Sequence, residues 1–156
     1  MAQIETTELN RVEKRSVHRT QWTAQFAVAS ELCKRDYQVA FTMGNHPKVD
    51  LMVISPSGAK FAIDVKGLYK RNFWVVSTKD QLQDLFYILA FVPDYEPNQF
   101  FILSQEEVNR EVPLHLDRVK AERLKKGLSI EKSDRFQGLL WSVAEKSKDR
   151  WDKLPK

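Results

Sequence analysis

The chain is 156 residues long, with 42% hydrophobic and 29% charged residues, a formal net charge of +4 and one cysteine, Cys33. Such a length suits a single domain that buries its core without staples. The composition excludes disorder driven by low hydrophobicity or one-signed charge, and a lone cysteine excludes an internal disulfide framework or a cysteine-rich zinc site. No stretch reaches the roughly 18 apolar residues of a membrane span, and MAQIETTELNRVEKR lacks the basic opening and apolar block of a secretory peptide. A cytoplasmic protein with no membrane association is expected, its small positive excess leaning towards an anionic partner.

In chain order, residues 6–19 have the spacing of a short amphipathic helix on which Arg11, Lys14, Arg15, His18 and Arg19 form one basic stripe. That stripe suits a phosphate backbone or, equally, plain solvation. Residues 20–35 predict a helix packed through Trp22, Phe26, Ala29 and Cys33, with Glu31 on its flank. Residues 38–42 predict a short strand, followed by a loop containing Gly44, Asn45 and Pro47. Two further strands, VDLMVIS and AKFAIDVKG, are separated by Pro56-Ser57-Gly58.

Residues 73–77, 85–92 and 99–103 read as three more strands, although Leu82, Leu85, Phe86 and Leu89 also fit a helical stripe. Ser104 followed by Glu107 has the form of a capping box, predicting a helix that stops before Pro113. After a charged segment over 117–126, residues 136–151 read as a final helix. With no repeat or linker, the expectation is one domain: a basic N-terminal helix or arm (1–19), a core (20–104) and a C-terminal helical segment (105–156).

The hairpin repays arithmetic. If residues 56–58 form a three-residue loop with Gly58 left-handed, Ser55 pairs with Ala59 and Asp50 faces Asp64. One face then carries Asp50, Met52, Ile54, Lys60, Ala62, Asp64 and Lys66; the other carries Val49, Leu51, Val53, Phe61, Ile63 and Val65, all apolar. The apolar face must be buried, which pins the register. Directly opposed like charges are destabilising unless compensated, and two compensations are open: a surface salt-bridge cluster with Lys66, or a divalent cation.

An acid opening one strand, D-x-K closing its antiparallel neighbour and a glutamate on the preceding helix together resemble the PD-(D/E)XK nuclease superfamily. Asp50 in KVDLMV matches the first acidic position, with Val49 where the name pattern has proline; Asp64 and Lys66 in IDVK match the second element, and Glu31 in VASELCKR takes the place of the helix glutamate. The resemblance implies an α/β (mixed α+β), restriction-endonuclease-like fold, a mixed β-sheet with helices on its faces. It also implies a metal-dependent nuclease, most members acting on DNA, or in the alternative a catalytically inactive module that binds nucleic acid or a partner protein. The chemistry agrees. Mg²⁺, with Mn²⁺ able to substitute, takes one or two carboxylates plus water and phosphate oxygens, which Asp50 and Asp64 supply with the Val65 carbonyl. Lys66 is then a compact cation for the water or for charge developing on phosphate. Past this site KGLYKRNFW places Lys70 and Arg71 for contact with nucleic acid, duplex or branched DNA, with Tyr69, Phe73 and Trp74 read as core. A one-site domain cuts both strands most simply as a homodimer.

Overall fold

The computed structural model describes residues 14–47 and 49–156. Helix α1 (Val17–Lys34) begins where Ser16 Oγ accepts the Arg19 backbone N–H at 3.1 Å, a serine cap on a donor the helix leaves orphaned. Lys14 and Arg15 precede the helix, so the expected basic helix over 6–19 does not carry them; its earlier part, with Arg11, lies outside the described residues.

Three strands follow as an antiparallel meander: β1 (Gln38–Phe41), β2 (Leu51–Ile54) and β3 (Lys60–Leu68). After the two-residue β4 (Trp74–Val75), β5 (Leu85–Phe91) lies parallel to β3, and β6 (Gln99–Ser104) is antiparallel to β5. The five-stranded sheet has the order β1-β2-β3-β5-β6. This is a mixed α/β fold. β5 is apolar throughout because both of its faces are covered, which is why its sequence fitted a helical stripe as well as a strand.

The β2/β3 register is the one counted from the sequence, Leu51 opposite Ile63 and Val53 opposite Phe61. Gly58 turns the loop at φ 93° and the Ser55 N–H donates to Ala59 O at 2.8 Å. Leu51, Val53, Phe61, Ile63 and Val65 are buried against α1 together with Ile88 and Ile102. Val49 departs from the expected face and packs in the opposite core.

The helix face that meets the sheet is Ala24, Val28 and Leu32, not the expected Trp22, Phe26, Ala29 and Cys33, of which only Ala29 is buried. The cause is close approach. A Cβ on Gly67 of β3 would stand 2.8 Å from Ala24 Cβ and 3.0 Å from Thr20 O, leaving no room for large side chains between helix and strand. The aromatic rings move to the flank, where Phe26 is 59% exposed and stacks 5.8 Å from Trp22 and 5.2 Å from Phe41.

The second face carries Trp74, Leu85, Tyr87, Leu89, Phe91, Phe101 and Leu103. It is covered by α2 (Gln105–Lys125), by β7 (Gly138–Leu139) and by the single-turn α3 (Trp141–Ala144). Three expectations change here. The Ser104–Glu107 capping box forms as read, but α2 continues through Pro113 and absorbs the charged segment: proline removes one backbone donor, and Val108 and Val112, both buried, hold the helix on the sheet before it. The strand expected over 73–77 shrinks to Trp74–Val75 and pairs with β7 outside the main sheet. The helix expected over 136–151 is replaced by β7, α3 and short 3-10 turns, because Gly138 runs extended against Trp74, where a Cβ would sit 2.0 Å from Trp74 O.

Candidate active site

Where β2 ends and β3 runs on, the backbone ladder is finished by a side chain. Asp50 N–H still donates to Ile63 O at 3.0 Å, but the next donor on β3, Val65 N–H, goes to Asp50 Oδ2 at 2.8 Å. Asp50 therefore lies alongside β3 in the row its own strand has vacated. Only Asp64 projects from the sheet as the face arithmetic expected. From α1, Gln25 Nε2 donates to Asp50 Oδ1 at 3.3 Å and Gln21 Nε2 donates to Val65 O at 2.8 Å.

Asp64 is 2% exposed, on β3 beside Tyr87 of β5, its register partner. Its Oδ2 accepts from Lys79 Nζ, and Lys66 Nζ lies 2.9 Å from Oδ1. Apart from this ion pair, Asp64 Oδ1 is a buried oxygen without a hydrogen-bond donor among the described residues. The Tyr87 hydroxyl is in the same condition.

Burial raises the Asp50 carboxyl above its usual range, and the Asp64 charge adds to that; the Val65 N–H, Lys66 and Lys79 act in the opposite sense. The Tyr87 hydroxyl is pushed up to about 12, by burial first and by the Asp64 charge second. Asp50, Asp64, Lys66, Lys79 and Tyr87 thus form one electrostatic unit. Its oxygens are hard donors, two carboxylates and the Val65 carbonyl, and both Asp64 Oδ1 and the weakly bonded Asp50 Oδ1 have capacity left. That donor set fits Mg²⁺ or Mn²⁺, completed by water and substrate oxygens. Among the described residues no group of three or more His, Cys, Asp or Glu side chains is placed to hold a metal without such help.

The structure brings Asp50, Asp64, Val65 and Lys66 together and leaves Glu31 out. Glu31 is ion-paired along its own helix, with Lys34 at 3.0 Å and Arg35 at 2.7 Å, and its carboxyl is held below the usual range chiefly by Arg35. The helix side chain that reaches Asp50 is Gln25, 7% exposed. Of the expected nucleic-acid contacts, Lys14, Arg19 and Lys70 are exposed. Arg71 is exposed too, with its guanidinium 4.4 Å from the Trp141 ring centre. Arg15 is not on that surface: it is 9% exposed, donates to Val92 O, pairs with Asp94 and stacks on Tyr69 at 5.0 Å. Its charge is spent on tying the entry of α1 to the end of β5.

Gln21, Gln25, Lys79 and Tyr87 are site residues that the sequence reading did not assign. The two glutamines carried a signal, sitting four apart and flanking the Ala24-Val28-Leu32 stripe; Lys79 carried none, since it comes from a loop with no periodicity. No helix of the described residues is long and apolar enough to cross a membrane. Compared with known proteins, the chain matches no family model, no curated protein and no solved structure.

Proposed function

We propose that the chain is a metal-dependent phosphodiesterase of the PD-(D/E)XK kind, with a restriction-endonuclease-like fold, acting on duplex or branched DNA. The observation that carries the reading is the electrostatic coupling of Asp50 and Asp64 at the β2/β3 junction, each drawn out of solvent and each keeping an oxygen with spare capacity, beside Lys66. The order of elements supports it: a helix, an antiparallel meander carrying the acids, then a strand parallel to β3.

Asp50, Asp64 and the Val65 carbonyl would hold Mg²⁺ or Mn²⁺. Such an ion polarises a phosphoryl oxygen and lowers the pKa of bound water. Gln21 and Gln25 fix the carbonyl and the first carboxylate in place through the bonds described above. Lys66, its side chain 32% exposed, reaches the open side of the site and balances charge developing on a phosphodiester. Of the cations expected to meet nucleic acid, Lys14, Arg19, Lys70 and Arg71 are exposed and available to the strand backbone, and contacts of that kind position without reading sequence.

The test is nicking or cleavage of plasmid and branched DNA with Mg²⁺, Mn²⁺ or EDTA. Asp64→Asn, which keeps the shape and removes the charge, should lower cleavage by about 10³-fold, the value of several kcal/mol of transition-state stabilisation. No metal-dependent cleavage by the parent on any of these substrates would end the enzymatic reading. One observation favours a second reading, a non-catalytic DNA-binding module: the helix side chain that reaches Asp50 is the neutral Gln25 and not the expected Glu31, and Asp64 already holds two ammonium groups. DNA binding that survives Asp64→Asn in a protein with no cleavage is its signature.

A further inference from the structure

We propose that Lys79 is a tethered competitor for the divalent cation at Asp64, and that it transfers to a phosphate oxygen when metal and nucleic acid arrive together; this rests on the metal-site reading above. Lys79 comes from the loop between β4 and β5, and its side chain is 16% exposed against 32% for Lys66, so it is the more enclosed of the two cations on Asp64.

Its place is set by the fold. Gln105, the first residue of α2 and 2% exposed, donates through Nε2 to Asp80 O at 3.0 Å and to Lys79 O at 3.4 Å, while its Oε1 accepts the Leu82 N–H at 2.8 Å. Asn109, one turn further along, donates to Lys79 O at 3.3 Å. A buried amide is costly unless its hydrogen bonds are made, and here they are made to the loop backbone on either side of the lysine. The ammonium is therefore held over the Tyr87 ring, 5.6 Å from its centre, and against Asp64 Oδ2.

Charge balance then dictates the order of events. Among the described residues, two acidic side chains, Asp50 and Asp64, stand with two lysines, Lys66 and Lys79, both of them ion-paired to Asp64, so opposite charges are already matched there without metal. A dication entering alone meets two like charges within a few ångströms in a partly dry site, where Coulomb energies are several times those in water. A phosphodiester entering with it restores the balance, and Lys79, released from Oδ2, gains an anion to pair with. Metal alone should bind weakly, and metal and DNA should each tighten the other by the same factor, as linkage requires.

The experiment measures Mn²⁺ binding by calorimetry to the parent and to Lys79→Met, with and without a short duplex, and follows Lys79 in the parent by amine-reactive labelling read by mass spectrometry, with exposed Lys70 as reference. Lys79→Met should bind Mn²⁺ alone about tenfold more tightly than the parent and lose most of the tightening that DNA brings. In the parent, Mn²⁺ alone should raise labelling of Lys79, and Mn²⁺ with duplex should lower it again. Equal Mn²⁺ affinity in parent and variant, or Lys79 labelling unmoved by saturating Mn²⁺, overturns this proposal and leaves the nuclease reading standing. No Mn²⁺ binding by either protein, with or without DNA, overturns both.

Discussion

The two faces of the central sheet are built from different materials. Under α1 the contacts are aliphatic and close: Ala24, Val28 and Leu32 lie on Leu51, Val53, Ile63 and Val65, with Gly67 allowing the helix down onto the strand. The opposite face is aromatic and charged. Trp74 stacks on Trp141 at 5.0 Å, Phe91 and Phe101 stand edge-on to Trp141, and beside them Asp64, Lys66 and Lys79 are gathered in or near the core. Of the buried polar atoms without a hydrogen bond among the described residues, Asp64 Oδ1, Tyr87 Oη, Trp74 Nε1 and Asn109 Oδ1 belong to this face, against Thr20 Oγ1 on α1. A buried polar group without a hydrogen bond costs free energy, so the α1 face supplies stability and the other holds the chemistry, at some expense to it.

A substitution that only thins the packing under α1 should therefore cost stability, and one that removes a charge of the site should cost cleavage. Leu32→Ala, fully buried under α1, should cost about 3 kcal/mol by denaturant unfolding, with cleavage per folded molecule unchanged. Gly67→Ala pushes a Cβ into Ala24 and Thr20. It should cost about 2 kcal/mol, and, because the displaced helix carries Gln21 and Gln25, cleavage should fall as well; retention of full activity would separate α1 from the site.

A smaller effect belongs to Glu107 on the second face, which caps α2 through the Ser104 N–H and pairs with Lys153 at 2.7 Å. Glu107→Ala should cost about 1 kcal/mol at pH 7. Burial acts to raise its carboxyl, but Lys153 and Ser104 outweigh that and hold it below the usual range. A lowered native pKa means the contribution is present above the unfolded glutamate value and lost as pH falls through the native one. Unfolding curves of parent and variant should converge in acid.

The smallest effect has the other sign. Because the native state holds the Asp50 proton more tightly than the unfolded chain does, ionising Asp50 as pH rises costs stability that an asparagine does not. Asp50→Asn should raise Tm at pH 7 while removing cleavage, and the gain should vanish below about pH 3.9, where the parent is protonated in both states. A drop in Tm at pH 7 would show that the Val65 N–H bond outweighs burial.

The hairpin and its acids were legible because their determinants are local. Alternation with period two, a glycine at the left-handed position and a short loop fix which residues oppose each other, and the observed register follows. Even there the last pair escaped: Asp50 turns into the ladder to serve Val65 N–H, a choice open only because β2 stops while β3 continues.

What the sequence by itself determined is the five strands of the main sheet, the register of the hairpin, the cap of α2 and the placing of Asp64 and Lys66 on one face. Tertiary structure alone decided which stripe of α1 faces the sheet, that Gln25 rather than Glu31 reaches Asp50, that Lys79 joins Asp64, and that Gly138 lies extended against Trp74. The physical reason is sequence separation. These contacts depend on space that other segments leave free, such as the gap above Gly67 or the loop bolted by Gln105 from 25 residues away, and no local period records it.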